Sequence, residues 1–254
     1  MNERGFATIT VANVSVAFGG IAALTDVSMK LQQREVFGLI GPNGAGKTTM
    51  VNVLSGFQRP TQGSVTLDGI EIGARGPHSA ARIGVGRTFQ AGRLFRDLTV
   101  GENLTIAAMG AGMGMRKARW RAGAILNWMG CEDMAQQRCD SLSYGNERRI
   151  GIGRALALAP KFVLLDEPAS GMNDAESDAL MRLIASIPGE FDCGVLLIEH
   201  NMEVIMGACE RIHVLDGGRT IAEGNPAAIM HNPDVRRAYL GDKGKGGVTP
   251  VKAA

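Results

Sequence analysis

At 254 residues with 45% apolar side chains, the chain has enough hydrophobic mass for one large α/β domain, or for a core domain carrying an inserted lobe, without staples. A formal net charge of +2 with 20% charged residues excludes the strong one-sided basic surface of a protein that lives on nucleic acid. Cys131, Cys139, Cys193 and Cys209 form neither a CxxC pair nor zinc-finger spacing with the four histidines, a pattern of buried or incidental thiols in a reducing cytosol.

The N-terminal stretch begins polar and runs into alternating residues, so no signal peptide is expected. Residues 9–16 and 27–31 alternate with period two, which predicts an antiparallel β-layer. Residues 35–40 then form a continuous apolar strand leading into a glycine-rich turn, and 48–55 a helix ending at Gly56. Residues 65–69 read as a further edge strand and turn, followed by a polar, glycine-containing stretch up to Gly86. From Gly92 to about Asp140, helical stretches at 100–109 and 119–129, interrupted by Gly110, Gly112 and Gly114, predict an inserted helical lobe. Its uncharged run at 104–115 falls well short of the ~20 residues a bilayer span requires. The basic cluster at 116–121 that follows suits either anionic head groups or a solvated helix face. After Ser143 a helix runs to Ala159 and stops at Pro160; 162–165 and 194–198 are buried strands flanking an amphipathic helix at 174–187. Such alternation predicts a mostly parallel sheet covered on both faces, without internal repeats, and residues 241–254 read as a flexible tail.

Gly41-Pro42-Asn43-Gly44-Ala45-Gly46-Lys47-Thr48 fits the pattern GxxxxGK[ST] and sits between an apolar strand and a helix. The glycines let backbone N–H groups turn toward phosphate oxygens, and the helix N-terminus adds partial positive charge. Lys47 is expected to reach the β- and γ-phosphates of ATP, Thr48 to ligate Mg²⁺, and Thr49 to complete the phosphate-binding set. At 162–167 an apolar run ends in Asp166 and Glu167, which is how an open α/β sheet presents acids to a ligand. Asp166 is assigned to Mg²⁺ and Glu167 to polarising the attacking water as general base.

Leu142-Ser143-Tyr144-Gly145-Asn146-Glu147-Arg148-Arg149 resembles the LSGGQ-type signature of ABC ATPases, in an LSYG form. The resemblance implies an α/β P-loop NTPase core of ABC ATPase type, with an antiparallel β subdomain and an inserted α-helical subdomain. It places a single ABC domain at 1–240: core with β subdomain at about 1–86, helical subdomain at about 92–140, core again at 141–240. It further implies that Ser143 and Gly145 bind the γ-phosphate held by an opposite subunit, in a head-to-tail dimer with itself or a paralogue. A serine and glycine opening a helix do make a small anion site. By the same resemblance Gln90 falls at the Q-loop, contacting Mg²⁺ or the water, and His200 at the switch histidine. Phe18 is the candidate adenine-stacking aromatic, with a core role as the alternative. The D-loop segment ends in Asn173 where an aspartate often stands, and Asn146 stands where glutamine is usual.

Arg87-Thr88-Phe89-Gln90, the LSYG signature, Gly171-Met172-Asn173, Ile198-Glu199-His200-Asn201-Met202 and residues 232–241 together look like the branched-chain amino acid importer ATPases, with closely similar members serving urea and short amides. That implies a peripheral subunit on the cytoplasmic face of the inner membrane, bound to permease subunits and working indirectly with a periplasmic solute-binding protein, with no nucleic acid partner. The stretch between residues 101–104 and the signature is shorter than expected for that subfamily. A soluble ABC ATPase of translation or DNA repair is the competing class; the chain carries one Walker A loop and no heptad run.

Overall fold

The computed structural model describes residues 5–72, 76–89, 94–199 and 201–240; the expected tail at 241–254 lies outside them. In chain order, the strands are β1 (Thr8–Phe18), β2 (Ile21–Gln32), β3 (Val36–Ile40), β4 (Gln62–Leu67), β5 (Ile70–Glu71), β6 (Val85–Arg87), β7 (Phe162–Asp166), β8 (Gly194–Ile198), β9 (Arg211–Asp216) and β10 (Arg219–Gly224). The helices are α1 (Lys47–Leu54), α2 (Pro77–Ile83), α3 (Val100–Gly110), α4 (Met115–Met129), α5 (Tyr144–Ala157), α6 (Asp174–Phe191), α7 (Met202–Ala208), α8 (Pro226–His231) and α9 (Pro233–Leu240).

Two sheets result. The first is antiparallel, in the order β2-β1-β4-β5, and the second runs β10-β9-β3-β8-β7-β6, parallel throughout except for the β9–β10 hairpin. Every residue of β3, β7 and β8 is buried, and alternate side chains enter opposite layers, because strand side chains alternate across a sheet. Phe37, Leu39, Phe162, Leu164, Leu196 and Ile198 pack with α1 and the antiparallel sheet. Ile40, Val163, Leu165, Val195 and Leu197 pack with the layer that includes α3 to α6.

The polar, glycine-containing stretch up to Gly86, to which no element was assigned from sequence, contains α2 and the start of β6. β6 pairs in parallel with β7 through Val85, Gly86 and Arg87 opposite Phe162, Val163 and Leu164, forming the sheet edge. Three residues with a central glycine give no periodicity, so only the tertiary partner defines this strand. Helix α6 also runs beyond the expected stop at Ile187 and carries Pro188 internally. Its last turn is held by Phe191 edge-to-face on Trp128 at 4.8 Å and by the Trp128 indole donating to Ser186 Oγ at 3.1 Å, contacts that offset the hydrogen bond a helical proline cannot make. All four cysteines are buried free thiols; burial pushes Cys193 and Cys209 up to about 12.

In the helical lobe α3 packs on α4 and α5. The basic cluster at the start of α4 divides: Arg116, Lys117 and Arg119 face solvent, whereas Arg121 donates to the carbonyls of Leu156 and Ala157 at the α5 C-terminus. The fully buried Asn103 lies in the first turn of α3. Its Nδ2 donates to the carbonyls of Phe95 and Thr99, each at 3.0 Å, and its Oδ1 accepts from Phe95 N at 2.8 Å. The chain entering α3 bonds the chain leading to Ser143, through Cys139 N to Leu98 O and Val100 N to Gln137 O. Replacing Asn103 with Ala empties a fully buried site and takes the partner from the Phe95 N–H, at a cost of about 1–3 kcal/mol, while the carbonyls of Phe95 and Thr99 keep Leu98 N and residue 103's own N–H. Asn103→Ala is therefore expected to lower unfolding free energy by about 2–3 kcal/mol in a denaturant titration; an unchanged midpoint would show that water replaces the amide.

Candidate functional site

The phosphate loop is the turn between β3 and α1. Gly46 forms the α1 N-cap at φ 100°, and a Cβ there would lie 2.7 Å from both Ala23 O and Leu24 Cδ2, so β2 leaves room for glycine alone. Unlike α3, α5, α6 and α7, and like α2 and α4, α1 has neither a side-chain cap nor an acidic residue in its first turn. Its leading N–H groups are therefore left for an anion. Gly41, Ala45 and Lys47 are buried, Pro42, Gly46 and Thr49 half-buried, and Asn43, Gly44 and Thr48 exposed. Lys47 Nζ donates to the carbonyls of Gly41 at 2.7 Å and Pro42 at 3.1 Å. Burial lowers its pKa, opposed by the carboxylates of Glu167 and Asp166. Those carboxylates thus act on Lys47 in one electrostatic neighbourhood.

Asp166 is buried at the end of β7, opposite Ile198 of β8. The half-buried Glu167 leaves the strand at φ 49°, a conformation costing a non-glycine residue on the order of 1–3 kcal/mol, and is held by its N–H donating to Ile198 O at 2.9 Å. That turn redirects the chain off the strand immediately after Asp166.

Ser143 caps α5, accepting from Asn146 N at 3.4 Å, and is exposed; the half-buried Gly145 has Glu176 and Met172 as neighbours. Among the described hydrogen bonds and ion pairs, none joins Ser143 or Gly145 to residues 41–48 of the same chain. Phe18 is half-exposed at the tip of the β1–β2 hairpin, which removes the core alternative. The same hairpin brings Ala23 and Leu24 against Gly46. Gln90 and His200 lie outside the described residues. Their flanks are placed: Thr88 N donates to Leu164 O at 3.0 Å, and Asn201 caps α7.

Three residues escaped the sequence reading of the site. Arg87 closes β6 with its Nη2 3.6 Å from Asp166 Oδ2, donates to Asn52 Oδ1 at 2.7 Å and Ser55 Oγ at 3.1 Å, and lies near the rings of Phe57 and Phe89. The buried Glu199 accepts from Ala169 N at 2.9 Å. Tyr239 of α9 lies beside the backbone of Gly41; burial pushes its hydroxyl up to about 12, opposed by that backbone. Arg87 and Glu199 entered the sequence reading only as neighbours of Gln90 and His200 in the motifs of the resemblance.

A family profile described as ABC transporter matches residues 24–170, and one described as Branched-chain amino acid ATP-binding cassette transporter matches residues 219–245. The chain is 41% identical over 249 residues to the high-affinity branched-chain amino acid transport ATP-binding protein LivG of Salmonella typhimurium, covering 92% of this chain and 98% of LivG. The chain belongs to the ABC transporter ATP-binding family. The ADP-conformation crystal structure of MJ1267, an ATP-binding cassette of an ABC transporter, superimposes with a TM-score of 0.83 at 26% identity, covering 92% of this chain and 99% of that one. A dimeric post-hydrolysis structure of the ATP-binding cassette MJ0796 bound to ADP and Pi matches with a TM-score of 0.73 at 27% identity, covering 86% and 98%. The expected ABC ATPase fold is therefore found, and the chain is a nucleotide-binding ATPase subunit coupled to transport, a family trait that carries dimerisation and membrane permease partners with it. The soluble, non-transport alternative is not favoured. Among the described residues no helix is long and apolar enough to cross a membrane.

Arg87 faces a buried acid, and losing one partner of a buried pair costs about 3–5 kcal/mol. Arg87→Met is expected to lower stability by about 3 kcal/mol in urea titration. Stability within experimental error of the parent would mean that Asp166 has no need of the guanidinium.

Proposed function

We propose that the chain hydrolyses ATP where α1, β7 and β8 converge, within a head-to-tail dimer that powers import of branched-chain amino acids or related small polar or amide solutes. The observation carrying this reading is that Lys47, buried on the phosphate loop, feels the carboxylates of both Asp166 and Glu167. One cation and two acids at the end of a covered parallel sheet suit phosphoryl transfer to water.

In this reading residues 41–49 cradle the phosphates, and Lys47 exchanges its carbonyl partners for phosphate oxygens. Glu167 orients a water and accepts its proton; His200 and Gln90 complete the γ-phosphate end. Thr48 and Asp166 supply oxygen donors for Mg²⁺. Two protein oxygens beside a phosphate site fit an ion that takes most of its octahedral shell from water and phosphates, and no cluster of three or more metal-binding side chains occurs among the described residues. When bound, Mg²⁺ would neutralise charge on the β- and γ-phosphates. Phe18 offers a ring to adenine from the hairpin tip.

Ser143 and Gly145 serve the nucleotide of the opposite subunit, itself or a paralogue; the exposure of Ser143 at a capped helix start supports this. For the permeases, a groove of about 840 Å³ runs between α2, β6 and the helical lobe, with Phe89, Phe95, Ile106 and Met113 among its walls. Phe89, the last described residue before Gln90, is one of its walls. The match of residues 219–245 and the likeness to LivG support the solute class and a peripheral place on the cytoplasmic side.

Glu167→Gln keeps shape and removes the base. ATP hydrolysis, followed as phosphate release, is expected to fall at least about 100-fold while ATP binding persists. Parental turnover in that variant would assign the base elsewhere.

A further inference from the structure

The loop that follows Glu167 is pinned at both ends. Ser170 N donates to Glu167 O at 3.2 Å, Met172 N to Ala169 O at 3.1 Å, and Ala169 N to the buried Glu199 carboxylate at 2.9 Å. At the far end Asn173 caps α6, its Oδ1 accepting from Glu176 N at 2.9 Å while Glu176 reaches back to Asn173 N. Between these pins lies Gly171 at φ 82°.

The ring of Tyr144 rests on Gly171. A Cβ built there would lie 3.1 Å from Tyr144 Cε1 and 3.5 Å from Cζ and the hydroxyl oxygen. Tyr144 is the first residue of α5, between Ser143 and Gly145, and it is half-exposed, so hydrophobic burial does not account for its position. Behind the ring, Arg148 stacks with its guanidinium 5.0 Å from the centroid and donates to the hydroxyl from Nε at 3.1 Å and Nη2 at 2.6 Å. Gly145 next door packs beside Met172 and Glu176 of the same loop and helix. The ring is thus a spacer between the loop leaving Glu167 and the two residues assigned to the partner's nucleotide.

We propose that Tyr144 is a positioning residue that couples the two ATP sites. A displacement of the Glu167 loop in one subunit is passed through Gly171 and the Tyr144 ring to Ser143 and Gly145, which serve the other subunit's γ-phosphate. The proposal rests on the head-to-tail reading of the preceding subsection. The ring's aromatic body carries the coupling; its hydroxyl only fixes Arg148.

The full chain and its variants are compared by steady-state ATPase kinetics, the Hill coefficient for ATP, and ATP affinity from a fluorescent-analogue titration. Tyr144→Ala is expected to lower kcat about tenfold and reduce the Hill coefficient while leaving ATP affinity within about twofold, as for a misplaced but intact catalytic group. Tyr144→Phe is expected to match the parent. Gly171→Ala crowds the ring and, at φ 82°, also strains the loop that bears on it; it is expected to mimic Tyr144→Ala, the double variant being no slower than either single one. The proposal is overturned if the two single effects multiply, if Tyr144→Phe falls as far as Tyr144→Ala, or if Gly171→Ala keeps parental kinetics. Should Tyr144→Ala fail to fold, Tyr144→Phe and Gly171→Ala still decide. Parental-rate hydrolysis by Glu167→Gln would instead strike the catalytic assignment and leave this comparison readable.

Discussion

Parallel pairing of β3, β7 and β8, with both faces covered, is the constraint on which the rest of the structure depends. Fully buried strands must satisfy their backbone groups on each other, so their registers are fixed and their C-terminal ends lie side by side. β3 ends at the phosphate loop, β7 at Asp166 and Glu167, and β8 at Glu199. The Asp166 to Ile198 pairing and the Glu167 N–H bond to Ile198 O align the last two of these ends directly. The site needs no special scaffold beyond the sheet; it is what the sheet's edge of chain ends presents.

Electrostatics then separates roles among similar groups. Asp166 is buried against Arg87 and so already has a cationic partner. Glu167, half-buried on a left-handed turn, belongs to a loop pinned by Glu199 and Asn173. Lys47 is held on carbonyls, a set of neutral acceptors that anionic oxygens would outbid. Ser143 has satisfied its own helix and is still exposed. In the proposed dimer such a chain supplies both halves of a phosphate site, directed toward different nucleotides.

Much of this was legible in the sequence because it is local. The apolar runs of β3, β7 and β8, the glycine spacing of the phosphate loop and the Ser143 cap all express short-range rules. What escaped depends on partners distant along the chain: β6 exists only because β7 accepts it, Glu199 acts 30 residues from Ala169, and Tyr239 reaches Gly41 from α9. The resemblance set Asn173 where an aspartate often stands; its structural work is to cap α6, which asparagine does as well as aspartate. Pro188 marked a helix end that aromatic packing overrode. Gln90 and His200 were placed by resemblance alone.

The claim at the centre of this account is that each phosphate loop is completed by a second subunit's signature. Mixing two inactive chains tests it most directly. Lys47→Ala spoils the loop and keeps the signature; Ser143→Arg spoils the signature and keeps the loop. Each alone is predicted to be silent in phosphate release, and their mixture to regain hydrolysis, since a mixed dimer assembles one intact loop opposite one intact signature. A mixture as silent as its components, or a Ser143→Arg chain that hydrolyses ATP unaided, would contradict the shared-site account.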